Sequence, residues 1–182
     1  DDKFMVVKHT AANSSNTPSF NYWILDDGLT SNAPFTVEYS LYIPKMAATD
    51  KASNLYMYFN GKNSAGSSAM DTVLKLAPLP KNGTASVYNK NNSADKTDVQ
   101  LGKWNKIAVE ADPAKNEFTL YVNGRAMNKI TGAAVNGITR IRFGLEGKSD
   151  ACLFGIDDFR IHQGAYNYPM RDAVITLTDA TG

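Results

Sequence analysis

The chain has 182 residues, 43% of them hydrophobic, and its 19 basic residues nearly balance its 18 acidic ones. This size and composition predict one large β domain over residues 1–182. Neither charge sign forms a long run, and no apolar run approaches the ~18 to 20 residues of a membrane span. We therefore expect neither a nucleic-acid partner nor membrane insertion.

Short segments of alternating apolar and polar residues follow one another along the chain. The predicted strands lie at 4–8, 20–25, 35–43, 55–59, 73–77 and 85–88, in a hairpin over 104–124, and at 126–130, 138–145, 153–162 and 173–178. The segment 62–69 is predicted to be a loop, and 89–98 a mobile excursion. No segment has helical spacing over the ~10 residues that a helix requires. About a dozen strands without a helix predict an all-β, antiparallel two-sheet sandwich or barrel.

The hairpin shows the alternation most clearly. Its two strands flank an Asp112–Asn116 corner, and each strand has one apolar face that is expected to join the core. The residues on those faces are Ile107, Val109, Ala111, Phe118, Leu120 and Val122.

Two signatures together resemble the laminin-G-like branch of the concanavalin A-like jelly rolls. They are Trp104-Asn-Lys-Ile-Ala-Val-Glu-Ala-Asp with Leu120-Tyr-Val-Asn-Gly124, and Phe154-Gly-Ile-Asp-Asp-Phe-Arg-Ile161 followed by Gly164-Ala165. The resemblance covers about residues 100–166. It implies a jelly-roll sandwich whose concave sheet holds sugar in many relatives. It also implies that Trp104 packs in the core and that the hairpin lies in the back sheet with Leu153–Ile161.

The resemblance further implies one structural calcium. In related folds the aspartate that opens the last long strand often binds this ion, and Asp157 occupies that position here. Alternation with Phe159 and Ile161 predicts that Asp157 points toward the core, where a hard cation would offset the cost of a buried carboxylate. Asp26 and Asp27 are conceivable further ligands. The alternative is that Asp157 caps a turn or pairs with an arginine or a backbone amide.

The sequence lacks the motifs of the enzymes that share this architecture. Glucanases of this shape carry a Glu-x-Asp-x-x-Glu strand that places acid and nucleophile on one face. The four glutamates here, Glu38, Glu110, Glu117 and Glu146, have no such spacing. The runs typical of polysaccharide lyases are also missing, and neither His9 nor His162 has a ligand-spaced neighbour. We therefore expect no enzymatic activity.

The strand faces opposite the predicted core carry aromatic rings mixed with charged groups. Rings pack against the C–H faces of a sugar, while its hydroxyls need donors and acceptors. Such rings also stabilise sheets without any ligand. The candidate ligand-binding residues are Tyr42, Tyr56, Tyr58, Lys75, Tyr88, Arg140 and Arg142.

The sequence thus favours a non-catalytic carbohydrate-binding module of a secreted or cell-surface multidomain protein, bacterial in style. Its expected partner is a glycan or polysaccharide. One alternative is an adhesin or architectural module that contacts a surface protein. The other is a glycan-active enzyme with an atypical site around Glu38 or around Arg140 and Arg142.

Overall fold

The computed structural model describes residues 4–8, 19–29, 33–90, 92–133, 135, 137–146 and 153–167, with the backbone alone for Lys8 and for 19–29. These residues form thirteen strands and one short 3-10 turn, Pro80–Asn82. None of them belongs to a helix that is long and apolar enough to cross a membrane. The strands are β1 Met5–Lys8, β2 Ser19–Leu29, β3 Phe35–Ile43, β4 Asn54–Lys62, β5 Ser68–Leu79, β6 Thr84–Asn89, β7 Lys96–Gln100, β8 Lys103–Asp112, β9 Glu117–Val122, β10 Arg125–Ala126, β11 Ile130–Thr131, β12 Gly137–Glu146 and β13 Leu153–Gln163.

The strands form two antiparallel sheets. The seven-stranded sheet has the order β1-β13-β3-β8-β9-β10, and β11 pairs with β9 off this path. The six-stranded sheet has the order β2-β12-β4-β5-β6-β7. The all-β jelly-roll sandwich predicted from the sequence is therefore confirmed, and the hairpin β8–β9 lies in the same sheet as β13.

Alternate residues of each central strand form the core between the sheets. Every second residue of β3 from Phe35 to Ile43 is buried, and the six apolar hairpin residues are buried as predicted. In β4 the buried residues that face inward are Leu55, Met57 and Phe59. Tyr39 joins the two sheets, since its hydroxyl donates to Met57 Sδ at 3.4 Å and its ring packs edge-on against Phe143.

The predicted excursion over 89–98 is wrong at both ends, because Asn89 ends β6 and Lys96 begins β7. Only Val99 of β7 is buried, so the alternation there is too short to be seen in the sequence. The predicted strand 173–178 lies outside the described residues.

The prediction that Trp104 packs in the core is wrong. Trp104 remains 47% exposed on the outer face of the seven-stranded sheet, opposite Tyr42 in the β3–β8 register. Ile107, Val109 and Ala111 face inward, so alternation along β8 places Trp104 on the other face. The position of Trp104 at the head of the hairpin was therefore a poorer guide than the strand pattern.

One glycine tests the β4–β12 pairing. A Cβ on Gly61 would overlap the carbonyl oxygen of Gly137, whereas a Cβ on Gly137 would have no neighbour within 4 Å. We expect Gly61→Ala to lower the free energy of unfolding by about 1–3 kcal/mol, because the strands must separate to admit the methyl group. Gly137→Ala should change it by less than about 0.5 kcal/mol.

Urea denaturation followed by circular dichroism measures both variants. Equal stability of Gly61→Ala and Gly137→Ala would contradict this pairing of β4 with β12.

Candidate functional site

Six of the seven candidate residues lie on one face of the six-stranded sheet. Tyr56, Lys75 and Tyr88 are register partners across β4, β5 and β6, and Arg142 is the partner of Tyr58. Arg140 lies two residues before Arg142 on the same stretch of β12. Since directly opposite residues share a face, these side chains lie together on the side away from the core.

The row of register partners Tyr56, Lys75 and Tyr88 continues to Lys96, which was not among the residues predicted from the sequence. Lys96 of β7 is the register partner of Tyr88 and is exposed. The sequence offered little signal for it, because the segment around Lys96 was predicted to be a loop. We call the seven residues Tyr56, Tyr58, Lys75, Tyr88, Lys96, Arg140 and Arg142 the Tyr–Lys surface.

Tyr56 and Tyr58 form a stacked pair rather than two rings side by side. Their ring centroids are 5.7 Å apart and the ring planes differ by 11°. Tyr56 is covered, with 7% of its surface exposed, whereas Tyr58 is half-buried. Tyr56 therefore supports the surface from within, and Tyr58 and Tyr88 present the rings that a ligand can reach.

Two lysines lie over the tyrosine rings. The Lys75 Nζ is 5.8 Å from the ring centroid of Tyr56 and 5.5 Å from that of Tyr88. The Lys96 Nζ is 5.9 Å from the Tyr88 centroid. Cation–π contacts of this kind contribute roughly 0.5–1 kcal/mol at exposed sites. They hold both ammonium groups above the sheet while leaving N–H donors available.

The two acidic side chains described on this face lie far apart. Glu146 belongs to β12 and Asp98 to β7, the first and last of five adjacent strands. Four strand spacings separate their backbones by about 19 Å. A glycosidase needs its two carboxyl groups within roughly 5–9.5 Å. These two carboxylates therefore cannot work together as acid and nucleophile.

The tyrosines of the pair are held in the neutral form. Burial raises the pKa of Tyr56, and the nearby Glu146 carboxylate raises it further. The pKa of Tyr58 is also raised, mainly by burial, although Arg142 lowers it in part. Both hydroxyls therefore stay protonated near neutral pH, where they can donate and accept hydrogen bonds.

Tyr42, the seventh candidate, lies on the opposite side of the molecule. It belongs to β3 of the seven-stranded sheet, and its ring lies 5.2 Å from that of Trp104. Phe4 packs edge-on against Trp104 at 5.9 Å. With the exposed Val6 and Leu153, these rings form an apolar patch, which we call the Trp104 patch.

Asp157 does not face the core as alternation predicted. The β13–β3 register shifts between Asp157 and Arg160, so one extra residue lies in β13. Asp157 is opposite Ser40 on the outer face, and its Oδ1 accepts a hydrogen bond from the Asp158 N–H at 2.8 Å. No three Asp, Glu, His or Cys side chains of the described residues are close enough to hold a metal ion. Calcium at Asp157 stays a prediction.

Glu38 also lies on the outer face of the seven-stranded sheet. Its Oε1 is 2.6 Å from His162 Nε2. Nearby, Asp158 Oδ2 is 2.8 Å from Lys106 Nζ and accepts a hydrogen bond from Ser40. Glu38 is thus engaged by a neighbouring side chain and is separate from the Tyr–Lys surface.

The sequence matches one family over most of its length. The family model Laminin_G_3, described as concanavalin A-like lectin/glucanases superfamily, matches residues 20–168. The chain belongs to this superfamily. No curated protein matches the chain in sequence.

Solved structures with the same fold include enzymes and a carbohydrate recognition domain. This superfamily member is similar to the alginate lyase AlgAT5 of polysaccharide lyase family 7, with a TM-score of 0.57, 12% identity, and coverage of 89% of this chain and 79% of the lyase. The carbohydrate recognition domain of Emp46p has a TM-score of 0.53 at 12% identity, over 82% of this chain and 80% of that domain. The carbohydrate esterase vb_24B_21 from Shiga toxin-encoding bacteriophage phi24B has a TM-score of 0.53 at 10% identity, over 90% of this chain and 88% of the esterase. At such identities the similarity establishes the fold alone.

The Glu38–His162 contact predicts a pH dependence. The Glu38 carboxylate holds the pKa of His162 above its ordinary value of 6.5. The pair therefore stabilises the fold below about pH 6.5, and this contribution is lost as the pH rises through the folded-state pKa. In Glu38→Gln we expect the pKa of His162 to fall toward 6.5.

NMR titration of the two histidines, assigned with a His9→Gln variant, measures this pKa. Glu117→Gln is the control, because Glu117 pairs with Lys129 instead. An unchanged His162 pKa in Glu38→Gln would contradict the pairing.

Proposed function

We propose that this chain is a non-catalytic carbohydrate-binding module that binds glycan through the Tyr–Lys surface. The observation that carries the proposal is the continuous row Tyr56, Lys75, Tyr88 and Lys96 across four adjacent strands. Along this row the Tyr88 ring lies between the N–H donors of Lys75 and Lys96, and the covered Tyr56 supports Lys75. A polysaccharide chain presents C–H faces and hydroxyls in a similar alternation.

The comparisons support a glycan as the class of ligand. The three similar structures are named as a lyase of alginate, a carbohydrate recognition domain and a carbohydrate esterase. All three share the jelly-roll fold with this chain. Their differing activities mean that the fold alone does not separate binding from catalysis.

The arrangement of charged groups favours binding over catalysis. The two carboxylates described on the face are too far apart for glycoside hydrolysis. A tyrosine that acts as a general base needs a pKa near the working pH, whereas Tyr56 and Tyr58 have raised pKa values. His162 lies on the other sheet. A glycan-binding module of this kind fits a secreted or cell-surface multidomain protein.

A second candidate function is contact with a surface protein through the Trp104 patch. Each of Phe4, Val6, Trp104 and Leu153 is at least 40% exposed. Val6 lies in β1, Leu153 in β13 and Trp104 in β8, Phe4 directly precedes β1, and Tyr42 of the intervening β3 contacts Trp104. Adjacent exposed apolar residues are typical of protein interfaces. This patch is on the sheet opposite the Tyr–Lys surface, so substitutions distinguish the two functions.

Replacement of one tyrosine on each sheet tests the proposal. Tyr58→Ala removes an accessible ring from the Tyr–Lys surface, and we expect it to weaken glycan binding roughly three- to tenfold. Tyr42→Ala removes a ring from the opposite sheet and should leave binding unchanged. A glycan array selects the ligand, and titration calorimetry then measures its affinity for each variant.

Circular dichroism checks that both variants are folded, and the products of a long incubation show whether the polysaccharide is cleaved. If Tyr42→Ala loses binding and Tyr58→Ala retains it, the glycan binds to the seven-stranded sheet, which would contradict the proposal. Depolymerisation that Tyr58→Ala abolishes would favour the enzyme instead.

A further inference from the structure

The charges of the Tyr–Lys surface are separated by row. Residues that lie opposite one another on adjacent strands form rows across this face. Three neighbouring rows carry the cations Arg140, Arg142, Lys75 and Lys96. No acidic side chain is described in these three rows. The next row on this face, away from Arg142, carries the two acids. Asp98 follows Lys96 by two residues in β7, and Glu146 follows Gly144 by two residues in β12. A polysaccharide chain that lies along the row of tyrosines and lysines therefore meets the positive charge of Lys75 and Lys96, while the Glu146 carboxylate lies beside Tyr56 at the other end of the row.

Neither lysine of this row has a carboxylate partner among the described residues. Within the described part of the chain, neither Lys75 nor Lys96 forms an ion pair, and each contacts tyrosine rings instead. The nearest acid of β7, Asp98, accepts a hydrogen bond from Ser86 at 2.6 Å. A ring stabilises an ammonium group without neutralising it, so an anion brought to these lysines would gain charge-assisted hydrogen bonds.

A pocket of about 240 Å³ lies at the Lys96 end of the row. The residues that line it include Lys96 and Arg125, together with Asp95 and Asn128. Arg125, like Lys96, forms no ion pair among the described residues, and it lies in β10 of the other sheet. The pocket is wide enough for one sugar unit and has two cations in its wall.

The buried Asn89 fixes the two sides of this pocket. Its Nδ2 donates to Asp95 Oδ2 and to the Asn128 carbonyl oxygen, each at 2.6 Å. Asn89 has no exposed surface, and no partner of its Oδ1 is found among the described residues. The pocket is therefore held in shape by a bond network within the protein. Asp95 keeps its negative charge, so the lining has two cationic residues and one carboxylate, and an anion is expected on the side of Lys96 and Arg125.

From these observations we propose that the Tyr–Lys surface selects acidic polysaccharides, and that the Lys96–Arg125 pocket receives a sugar unit bearing a carboxylate or sulfate group. This inference rests on the proposed function, because it names the ligand class of the same surface. The anionic group lies between Lys96 and Arg125. Further acidic units along the chain lie against Lys75 and toward Arg142.

Two matched pairs of polymers test the selectivity. Polygalacturonate is compared with its methyl ester, and dextran sulfate with dextran, so that each pair differs in charge on the same backbone. We expect the charged member of at least one pair to bind about tenfold tighter or more, and the preference to fall as salt rises from about 0.02 M to about 0.5 M. The pair that shows the preference distinguishes carboxylate from sulfate.

Three variants locate the selectivity. Lys96→Gln and Arg125→Gln should each reduce the preference roughly three- to tenfold, since each removes one charged donor. Lys103→Gln removes the same charge from the seven-stranded sheet and should leave the preference unchanged. Binding is measured by surface plasmon resonance, with circular dichroism of each variant.

Equal affinity within both polymer pairs would overturn the acidic preference while leaving glycan binding by Tyr58 intact. Failure of the wild-type protein to bind any of the four polymers would overturn it too. If Lys103→Gln reduces the preference as much as Lys96→Gln and Arg125→Gln do, the preference depends on net charge. That result would overturn the proposal that the Lys96–Arg125 pocket receives the anionic group.

Discussion

Burial of Leu55, Met57 and Phe59 between the two sheets determines the geometry of the candidate site. These three residues fix which face of β4 is inward, so Tyr56 and Tyr58 must face outward. The register of β4 with β5 then sets Tyr56 opposite Lys75. A shift by one residue would place both tyrosines in the core, so the apolar layer and the surface depend on each other.

The two outer faces of the sandwich have different chemistry. The six-stranded sheet presents rings with ammonium groups above them, a combination that suits a polar ligand with C–H faces. The seven-stranded sheet presents the Trp104 patch beside a network of paired charges, in which Glu38 contacts His162 and Asp158 contacts Lys106. In that network the charges are matched within the protein. On the Tyr–Lys surface, Lys75 and Lys96 lack such partners among the described residues, and this difference distinguishes the proposed binding face.

Local alternation was enough to predict an all-β fold, the buried residues of the hairpin, and the outward direction of Tyr56 and Tyr58. It could not assign strands to sheets, because pairing between distant strands sets the order; Tyr42 therefore fell on the opposite face from the other tyrosines. Alternation also failed at the bulge after Asp157, where one extra residue reverses the faces. Lys96 was missed because a single buried residue, Val99, marks its strand.

We propose that the outer face of the six-stranded sheet, and not that of the seven-stranded sheet, binds the ligand. Chemical-shift mapping tests it most directly, with ¹⁵N-labelled protein titrated with short oligosaccharides of the polymer that binds best. We expect the amide shifts to concentrate in β4, β5, β6, β7 and β12, with the largest changes near Tyr58, Tyr88 and Lys96. Shifts concentrated in β1, β3, β8 and β13 around Trp104 would contradict it.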